Sequence, residues 1–382
     1  MFPVEKFRNI PTPFYFYDVD LFRRTAQAAL SEAQKYGYVV HYALKANANE
    51  KLLRLLSAAG FGADCVSGAE VQRAIDCGFP PQSIAFAGVG KRDDEICLGI
   101  DHRIFSFNCE SEQELEVINE LARAKGTVAQ VALRINPNVD AHTHAHITTG
   151  LDENKFGVNL WQLTDVAKKV KQMSHLKLVC IHFHIGSQIT ELSPFAELCG
   201  KVNDIQEQLG QAGVTVEHVN VGGGLGVDYE RPTENSIPEF AAYFALLNRH
   251  IKLRAGQTLH CELGRSIVAQ CGSLITRCLY VKELQKKNFV VVDAGMTDLI
   301  RPALYGAYHK IENITPQNAE QKVYDVVGPI CESSDTFDKD VALPQTLRGD
   351  LLAIRTAGAY GEVMASRYNL RPLPRAFFSD EL

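Results

Sequence analysis

Short apolar runs and amphipathic stretches alternate along the chain from residue 39 to residue 263. The apolar runs are rich in β-branched and aromatic residues, which predicts buried strands. They lie at 39–44, 61–66, 84–88, 104–107, 130–136, 178–185, 217–222 and 258–263. Helical spacing of apolar residues predicts helices between the strands, at 50–59, 68–77, 91–99, 111–125, 160–173, 194–212 and 237–254.

This alternation indicates an α/β fold in which parallel strands are joined by right-handed helical crossovers. Eight such strands within about 225 residues match the count and size of a TIM (β/α)8 barrel. An open doubly wound sheet is the alternative arrangement of the same units. We expect the barrel domain to span residues 30–265.

After Arg265 the apolar runs follow one another without helices between them, at 266–270, 273–281, 288–293, 324–328 and 350–355. This pattern predicts a mostly antiparallel β domain, a β-sandwich or Greek-key barrel. An aromatic strand within residues 10–20 precedes the barrel and needs a sheet to join, so we expect it in the same domain. The second domain is thus predicted to comprise residues 1–29 and 266–382.

The composition is that of an ordinary soluble enzyme, with 382 residues, 46% hydrophobic and 22% charged. The net charge of -6 gives no reason to expect nucleic acid or an anionic membrane as a partner. Ten cysteines without any CxxC pair favour a reducing compartment. The first residues lack the layout of a signal peptide, and no apolar run reaches the roughly 18 residues of a membrane span, so we expect a cytoplasmic protein.

Candidate chemistry lies at the carboxyl ends of the predicted barrel strands, which converge on the face where TIM barrels hold their active sites. The residues at these ends are Lys45, Asp64, Arg134, His182, His184, Gly222, Gly223, Gly224, Glu262 and Arg265. A lysine that ends a buried strand either forms a Schiff base with a carbonyl or extends to solvent or to an ion pair. The three glycines either let backbone N–H groups close on a phosphate or form a tight turn.

An aldehyde-binding lysine, a phosphate loop and a carboxylate on one face suit pyridoxal 5'-phosphate. Glu262 would hold a proton on the pyridine nitrogen, or else would form a buried ion pair with Arg265. His184 would lie against the cofactor ring, or else would be a hydrogen-bonded core histidine. His142, His144 and His146 alternate in a polar loop without a nearby set of cysteine or carboxylate ligands, so we expect no metal site.

A series of motifs, in order over nearly the whole chain, resembles the fold-type III decarboxylases that use pyridoxal phosphate, a family related to alanine racemase. The barrel motifs are Tyr42-Ala-Leu-Lys-Ala-Asn, Gly62-Ala-Asp-Cys-Val-Ser-Gly-Ala-Glu, Arg134-Ile-Asn-Pro-Asn, Asn154-Lys-Phe-Gly-Val, His182-Phe-His-Ile-Gly-Ser-Gln, Asn220-Val-Gly-Gly-Gly-Leu-Gly and Glu262-Leu-Gly-Arg-Ser. The later motifs are Asp293-Ala-Gly-Met, Gly328-Pro-Ile-Cys-Glu-Ser and Gly358-Ala-Tyr-Gly. The segment Arg301-Pro-Ala-Leu-Tyr-Gly-Ala-Tyr-His is most similar to the diaminopimelate decarboxylase branch.

The resemblance implies a homodimer with shared active sites that converts meso-2,6-diaminopimelate to L-lysine and CO2, the last step of bacterial lysine biosynthesis. It implies Lys45 and Cys331 as catalytic residues, with Cys331 donating a proton from a second subunit. It implies that the cofactor is bound by Lys45, Asp64, His184, Ser187, Gly223, Gly224, Glu262, Gly264, Arg265 and Tyr360. It implies that the substrate is bound by Arg265, Arg301, Tyr305, Glu332 and Tyr360. Leu263 departs from the proline that is usual in the family, which puts the stiffness of the phosphate loop in doubt.

Three other functions stay open on the sequence alone. An ornithine- or arginine-type decarboxylase and a carboxynorspermidine decarboxylase would share the fold and differ in the distal substrate contacts, so Arg301 and Tyr305 are the discriminating residues. A non-catalytic pyridoxal-phosphate-binding protein would usually lack the second domain, which the segment after Arg265 argues against.

Overall fold

The computed structural model describes residues 2–139, 156–315 and 320–382. The strands of these residues are β1 (Phe14–Tyr17), β2 (Val39–Ala43), β3 (Gly62–Cys65), β4 (Ile84–Phe86), β5 (Ser106–Cys109), β6 (Ala129–Arg134), β7 (Leu176–His182), β8 (His218–Asn220), β9 (Thr258–Leu263), β10 (Gly272–Glu283), β11 (Asn288–Val292), β12 (Ile311–Asn313), β13 (Gln321–Val327), β14 (Thr336–Pro344), β15 (Leu351–Ile354) and β16 (Arg375–Phe378).

The helices in the described residues are α1 (Val4–Phe7), α2 (Val19–Gln34), α3 (Glu50–Ala59), α4 (Gly68–Asp76), α5 (Asp93–His102), α6 (Glu112–Ala124), α7 (Leu160–Gln172), α8 (Ser193–Gln211), α9 (Phe240–His250), α10 (Arg265–Val268) and α11 (Arg301–Tyr305). Polar N-caps fix where several barrel helices begin. The side chains of Asn49, Ser67 and Ser111 accept hydrogen bonds from backbone N–H groups in the first turns of α3, α4 and α6.

The strands β2 to β9 form a closed parallel barrel in chain order, and β9 pairs with β2 to complete the ring. The predicted (β/α)8 barrel is therefore confirmed, and closure of the ring excludes the open doubly wound sheet. The strands are buried over most of their length, which is why they read as continuous apolar runs. Each predicted barrel helix is present, with ends within a few residues of the predicted ones.

The second sheet has the strand order β12-β15-β10-β11-β13-β14, and β1 joins it beside β10 and β16. Its pairings are mostly antiparallel, except for the parallel pairs β11–β13 and β1–β16. The prediction of a second, mostly antiparallel domain is confirmed, as is the place of the aromatic strand in it, since Phe14 to Tyr17 pair with Ile275 to Gly272.

One predicted strand is wrong. Residues 266–270 were expected to be extended, but Arg265–Val268 form the short helix α10, with all four residues buried. The Ile-Val pair in this run favours a strand by propensity, and so short an apolar run has no periodicity that separates a strand from a buried helix.

The chain divides into two compact units. One comprises residues 26–226 and 239–264 and contains the barrel; the other comprises residues 1–25, 227–238 and 265–382. The segment 227–238 thus groups with the second unit, although it lies within the range 30–265 predicted for the barrel domain. Among the described residues, no helix has the length and apolar character needed to cross a membrane.

Candidate active site

Lys45 lies in a single 3-10 turn directly after β2, at the carboxyl end of the barrel. Its Nζ is 3.5 Å from Oδ2 of Asp64, which lies near the end of the neighbouring strand β3 and is fully buried. Burial and the charge of Glu262 raise the pKa of Asp64 to about 7, although Lys45 opposes that shift. Lys45 therefore sits beside a carboxyl group whose charge is costly to keep in this place.

Glu262 on β9 is buried and hydrogen-bonded through both carboxylate oxygens. Its Oε1 accepts from Nδ2 of Asn220 at 2.7 Å and from Nδ2 of Asn108 at 3.3 Å. Its Oε2 pairs with Nε2 of His182 at 2.8 Å. Burial acts to raise the pKa of Glu262, but the charge and hydrogen bond of His182, with Lys45, outweigh it and bring the pKa below its ordinary value. The site thus holds an ionised carboxylate in the barrel interior.

His184 lies just beyond β7, where it contacts the group of three glycines that follow β8, Gly222, Gly223 and Gly224, which we call the glycine loop. The backbone N–H of Gly223 donates to Nδ1 of His184 at 3.3 Å. Burial, with the charges of Lys45 and Arg134, holds the pKa of His184 well below its ordinary value, so the imidazole is neutral. A neutral ring that accepts at Nδ1 carries its hydrogen on Nε2.

No side chain fits at the glycine loop. A Cβ on Gly223 would collide with the carbonyl oxygen of Glu262, and one on Gly222 would collide with that of Phe183. Gly224 has a φ of +113°, in the region that favours glycine. The loop is also tied to the segment after β7, because N–H of Ile189 donates to the carbonyl of Gly224 at 2.9 Å.

Ser187 and Gly264 belong to the same unit as this loop. Ser187 is half-buried and directly follows Gly186, whose carbonyl oxygen would be 2.8 Å from a Cβ on Gly224. Gly264 follows β9, where a Cβ would lie 3.1 Å from the methyl groups of Ala43 and Ala46, on either side of Lys45. Glycine at this position therefore lets the turn after β9 pack closely against the 3-10 turn that contains Lys45.

The second unit gathers two buried arginines around a tyrosine. Nη1 of Arg265 donates to the hydroxyl of Tyr229 at 2.6 Å, and the guanidinium of Arg301 lies 5.0 Å from the centre of the Tyr229 ring. The guanidinium of Arg265 also lies 4.9 Å from the ring centre of Tyr360. Tyr360 has a φ of +57°, a strained conformation for a bulky residue and one that is enriched at ligand sites.

Arg301 begins α11 and is oriented by a histidine. Its Nη1 donates to Nε2 of His309 at 2.7 Å, and Nδ1 of His309 donates to the carbonyl of Arg355 at 2.9 Å. Burial and the charge of Arg301 lower the pKa of His309 to about 3, so the imidazole is neutral and acts as an acceptor. Tyr305, at the other end of α11, is half-buried and is close enough to Arg265 to contribute to its raised pKa.

Cys331 and Glu332 lie in the loop between β13 and β14, and both are exposed. Oε1 of Glu332 accepts a hydrogen bond from the hydroxyl of Tyr368 at 2.7 Å. All ten cysteines are free thiols, and Cys331 is the exposed one.

Within the barrel unit the structure brings together the predicted residues Lys45, Asp64, His184, Glu262 and the glycine loop. Within the second unit it brings together Arg265, Arg301, Tyr305 and Tyr360. Sequence reasoning missed the amides that hold Glu262, as well as Tyr229 and His309. Asn108 and Asn220 do stand at strand ends, which is the signal that could have found them.

The part of the chain that the structure describes contains no cluster of metal-ligating side chains. His142, His144 and His146 lie outside the described residues.

The barrel residues fit pyridoxal phosphate. The ionised Glu262 suits a protonated ring nitrogen, and Gly222, Gly223 and Gly224 form a close-packed turn without side chains beside His184, which suits a phosphate loop. Oδ1 of Asp64 is buried and has no hydrogen-bond partner among the described residues. The other oxygen of this carboxyl group faces Nζ of Lys45. An unsatisfied polar atom is uncommon in a protein interior, and a group bound at Lys45 would lie beside this one.

The comparisons with known proteins agree with this geometry. The family model described as "Pyridoxal-dependent decarboxylase, pyridoxal binding domain" matches residues 20–269. A curated diaminopimelate decarboxylase from Bacteroides thetaiotaomicron is 56% identical over 383 residues, which cover 100% of this chain and 99% of that protein.

Solved structures are similar over the whole chain. The diaminopimelate decarboxylase of Helicobacter pylori in complex with L-lysine is 43% identical with a TM-score of 0.94, over 99% of this chain and 94% of that one. The enzyme of M. jannaschii in complex with L-lysine is 37% identical with a TM-score of 0.91, over 98% and 89%. The chain therefore belongs to the diaminopimelate decarboxylases, a family of pyridoxal-dependent carboxy-lyases.

Proposed function

We propose that this chain converts meso-2,6-diaminopimelate to L-lysine and CO2, the last step of bacterial lysine biosynthesis. The observation that carries the proposal is the buried, ionised Glu262 in the same barrel as Lys45, since a decarboxylation on pyridoxal phosphate needs both groups. The identity of the substrate is supported by the full-length similarity to a named diaminopimelate decarboxylase and by the L-lysine in two similar structures.

Bound pyridoxal phosphate supplies a carbonyl that captures amines and a ring that takes up the electrons left by a departing carboxylate. Lys45 would hold the cofactor through Nζ and release it to the amine of the substrate. Glu262 would keep a proton on the ring nitrogen, because a carboxylate that is ionised at neutral pH stabilises a cation beside it. Asn108, Asn220 and His182 leave free acceptor capacity on the two oxygens of Glu262 for that proton.

We assign the neutral His184 to the face of the cofactor ring and Asp64 to the neighbourhood of Lys45. The phosphate would be bound by Ser187, Gly223, Gly224, Gly264, Arg265 and Tyr360. The glycine loop supports this assignment, since a turn without side chains lets a phosphate approach its backbone.

We assign substrate binding to Arg265, Arg301, Tyr305, Glu332 and Tyr360. Arg301 is 6% exposed and keeps its charge, and no carboxylate among the described residues forms an ion pair with it. A buried guanidinium of this kind is suited to a substrate carboxylate. Glu332 would bind the distal amino group, and such polar contacts reject substrates that lack the second amino-acid end.

Cys331 would donate the proton that replaces the lost carboxylate, from the second subunit of a homodimer. Its exposure in the single chain supports this role, because a donor for a neighbouring subunit must be accessible. Ten free thiols favour a reducing compartment, and we propose the cytoplasm.

A turnover panel tests the substrate. Purified protein with added pyridoxal phosphate is expected to release CO2 fastest from meso-diaminopimelate, with L-lysine as the product. Faster release from ornithine, arginine or carboxynorspermidine would overturn the assignment. The Lys45→Ala variant should lose the visible absorbance of the lysine-bound cofactor, and retention of that band would show that another lysine is the anchor.

A further inference from the structure

A buried carboxylate organises the loop that carries Cys331. Asp335 is 4% exposed, and its Oδ2 accepts from the backbone N–H of Ile330 at 2.7 Å. Its Oδ1 accepts from the N–H of Met296 at 2.6 Å, in the segment that follows β11. One side chain thus joins two loops of the second unit through hydrogen bonds to charged oxygens, which are stronger than neutral ones.

The backbone of Asp335 also forms hydrogen bonds within the same loop. Its carbonyl accepts from the N–H of Gly328 at 3.0 Å, and its N–H donates to the carbonyl of Glu332 at 3.1 Å. Cys331 lies at the exposed tip, between Ile330 and Glu332, and both of these neighbours are bonded to Asp335. The position of the thiol is therefore fixed from both sides by one residue.

Two glycines make room for this carboxylate. A Cβ on Gly328 would collide with both oxygens of Asp335, and a Cβ on Gly295 would lie 3.2 Å from Oδ2. Neither glycine has a positive φ, so the requirement comes from space rather than from backbone conformation. The local sequence is thus fitted around the carboxylate as well as bonded to it.

We infer that Asp335 is a positioning residue for proton transfer by Cys331: its carboxylate fixes the loop 328–335 so that the thiol reaches the carbon that has lost CO2. The inference rests on the proposed function. In that step the S–H bond of Cys331 breaks, a C–H bond forms at that carbon, and the thiolate regains a proton from water. A displaced thiol leaves the loss of CO2 possible but lets the proton arrive elsewhere, which gives products other than lysine.

The experiment measures lysine formed per CO2 released from meso-diaminopimelate, in the dimeric enzyme loaded with pyridoxal phosphate. The wild type should give one lysine per CO2. Asp335→Asn keeps the volume but replaces one acceptor oxygen by a donor, so lysine formation should fall about tenfold or more, with the ratio clearly below one. Cys331→Ala should lower the ratio in the same way, and the double variant should be no worse than Cys331→Ala alone.

A second readout does not depend on turnover. Cys331 is the exposed thiol, so its alkylation rate by iodoacetamide can be followed by mass spectrometry in enzyme without cofactor. We expect a severalfold change in that rate in Asp335→Asn. Gly328→Ala, which presses on the same carboxylate from the other side, should reproduce both effects and serves if Asp335→Asn fails to fold.

Asp350→Asn is the matched control. Oδ2 of Asp350 also accepts a backbone N–H, that of Leu347 at 2.8 Å, in a loop without an assigned role. It should lose stability while keeping one lysine per CO2. The inference is overturned if Asp335→Asn and Gly328→Ala behave like this control while Cys331→Ala lowers the ratio. A Cys331→Ala enzyme with an unchanged ratio would instead overturn the donor role in the proposed function.

Discussion

At the scale of single residues, one to three neighbouring side chains set the charge or the orientation of each charged group in the site. Glu262 stays ionised inside a barrel because two amides and an imidazole donate to it. Arg301 keeps its orientation because a neutral imidazole accepts from it. Replacing such a neighbour should therefore change function while leaving the assigned catalytic groups in place.

His309 offers a test of this kind. His309→Leu removes the acceptor of Arg301, so we expect the KM for diaminopimelate to rise about tenfold, with a smaller change in kcat. His309→Gln, whose side-chain oxygen can accept from Arg301, should recover part of the loss. His175→Gln is the control, because His175 also bonds a backbone carbonyl, that of Thr127, but lies in the other unit. Equal losses in kcat and KM for all three variants would contradict the positioning role.

Some of the individual site residues can be predicted from the sequence, and others cannot. Lys45 and Glu262 are found by their place at strand ends, because buried charged residues are rare enough to stand out. Asn108 and Asn220 were not identified, since they bond Glu262 from 154 and 42 residues away. Asn220 stands on the neighbouring strand β8, whereas Asn108 on β5 reaches Glu262 only because the barrel closes. Tyr229 was missed because aromatic residues are common in loops and in cores alike.

At the scale of elements, three neighbouring strands contribute a chain of histidines to the barrel interior. His41 on β2, His260 on β9 and His218 on β8 are joined by nitrogen–nitrogen distances of 2.9 and 3.0 Å. Nδ1 of His41 donates to the carbonyl of Ser83, at 3.1 Å. Because a carbonyl only accepts, each ring must carry its hydrogen on Nδ1, and Nε2 of His41 and of His260 must accept.

This chain should make stability depend on pH. Burial lowers the pKa of all three histidines, that of His260 to about 2, although Glu262 acts to raise the pKa of His41 and of His260. Glu217 and Lys177 act on His218 in opposite directions. The unfolded histidines bind protons near their ordinary pKa of about 6.5 while the folded ones do not, so stability falls as the pH drops below that value.

We expect His260→Phe to be less stable than the wild type at pH 8, because the hydrogen bonds of His260 are missing. Between pH 8 and pH 5.5, however, the variant should lose less stability than the wild type. Urea midpoints at several pH values measure both effects. The exposed His250 supplies the control, since His250→Gln should leave the pH dependence unchanged. A parallel pH dependence in His260→Phe and wild type would show that the chain does not set it.

Elements of the barrel were predicted well because burial on both faces and amphipathic helices leave clear periodicities. The second sheet was predicted less completely. β14 is mostly exposed or half-buried and carries charges at Asp338, Lys339 and Asp340, so it lacks an apolar run. β12 is only three residues long. α10 was taken for a strand because Ile267 and Val268 favour extended structure by propensity.

At the scale of the whole molecule, the assignment of Cys331 to a second subunit makes the active site a property of the dimer. Lys45→Ala and Cys331→Ala should each be strongly impaired alone. Mixed in equal amounts and allowed to exchange subunits, they should recover about a quarter of wild-type activity, since half of the dimers are mixed and each has one intact site.

The control for that mixture is Lys45→Ala with the double variant Lys45→Ala/Cys331→Ala, which cannot form an intact site in any combination. Recovery in the control would point to contamination. No recovery in the first mixture, with exchange confirmed by mass spectrometry, would place both residues in one subunit.

The change of pattern after Arg265 is what predicts two domains, because it separates two kinds of packing. Segment 227–238 was not foreseen, since its polar and proline-containing sequence has no periodicity that assigns it to either unit.

The pairing of β1 with β10 bears on how the protein is made. The four aromatic residues of β1 leave the ribosome early, whereas their partner strand follows about 250 residues later, after every barrel strand. At ordinary rates of translation the delay is roughly 10–50 s. During that time the apolar segment of β1 has no partner strand and is exposed to other nascent chains. Chaperone supply and translation speed should therefore affect the yield of this protein more than the folding of its barrel does.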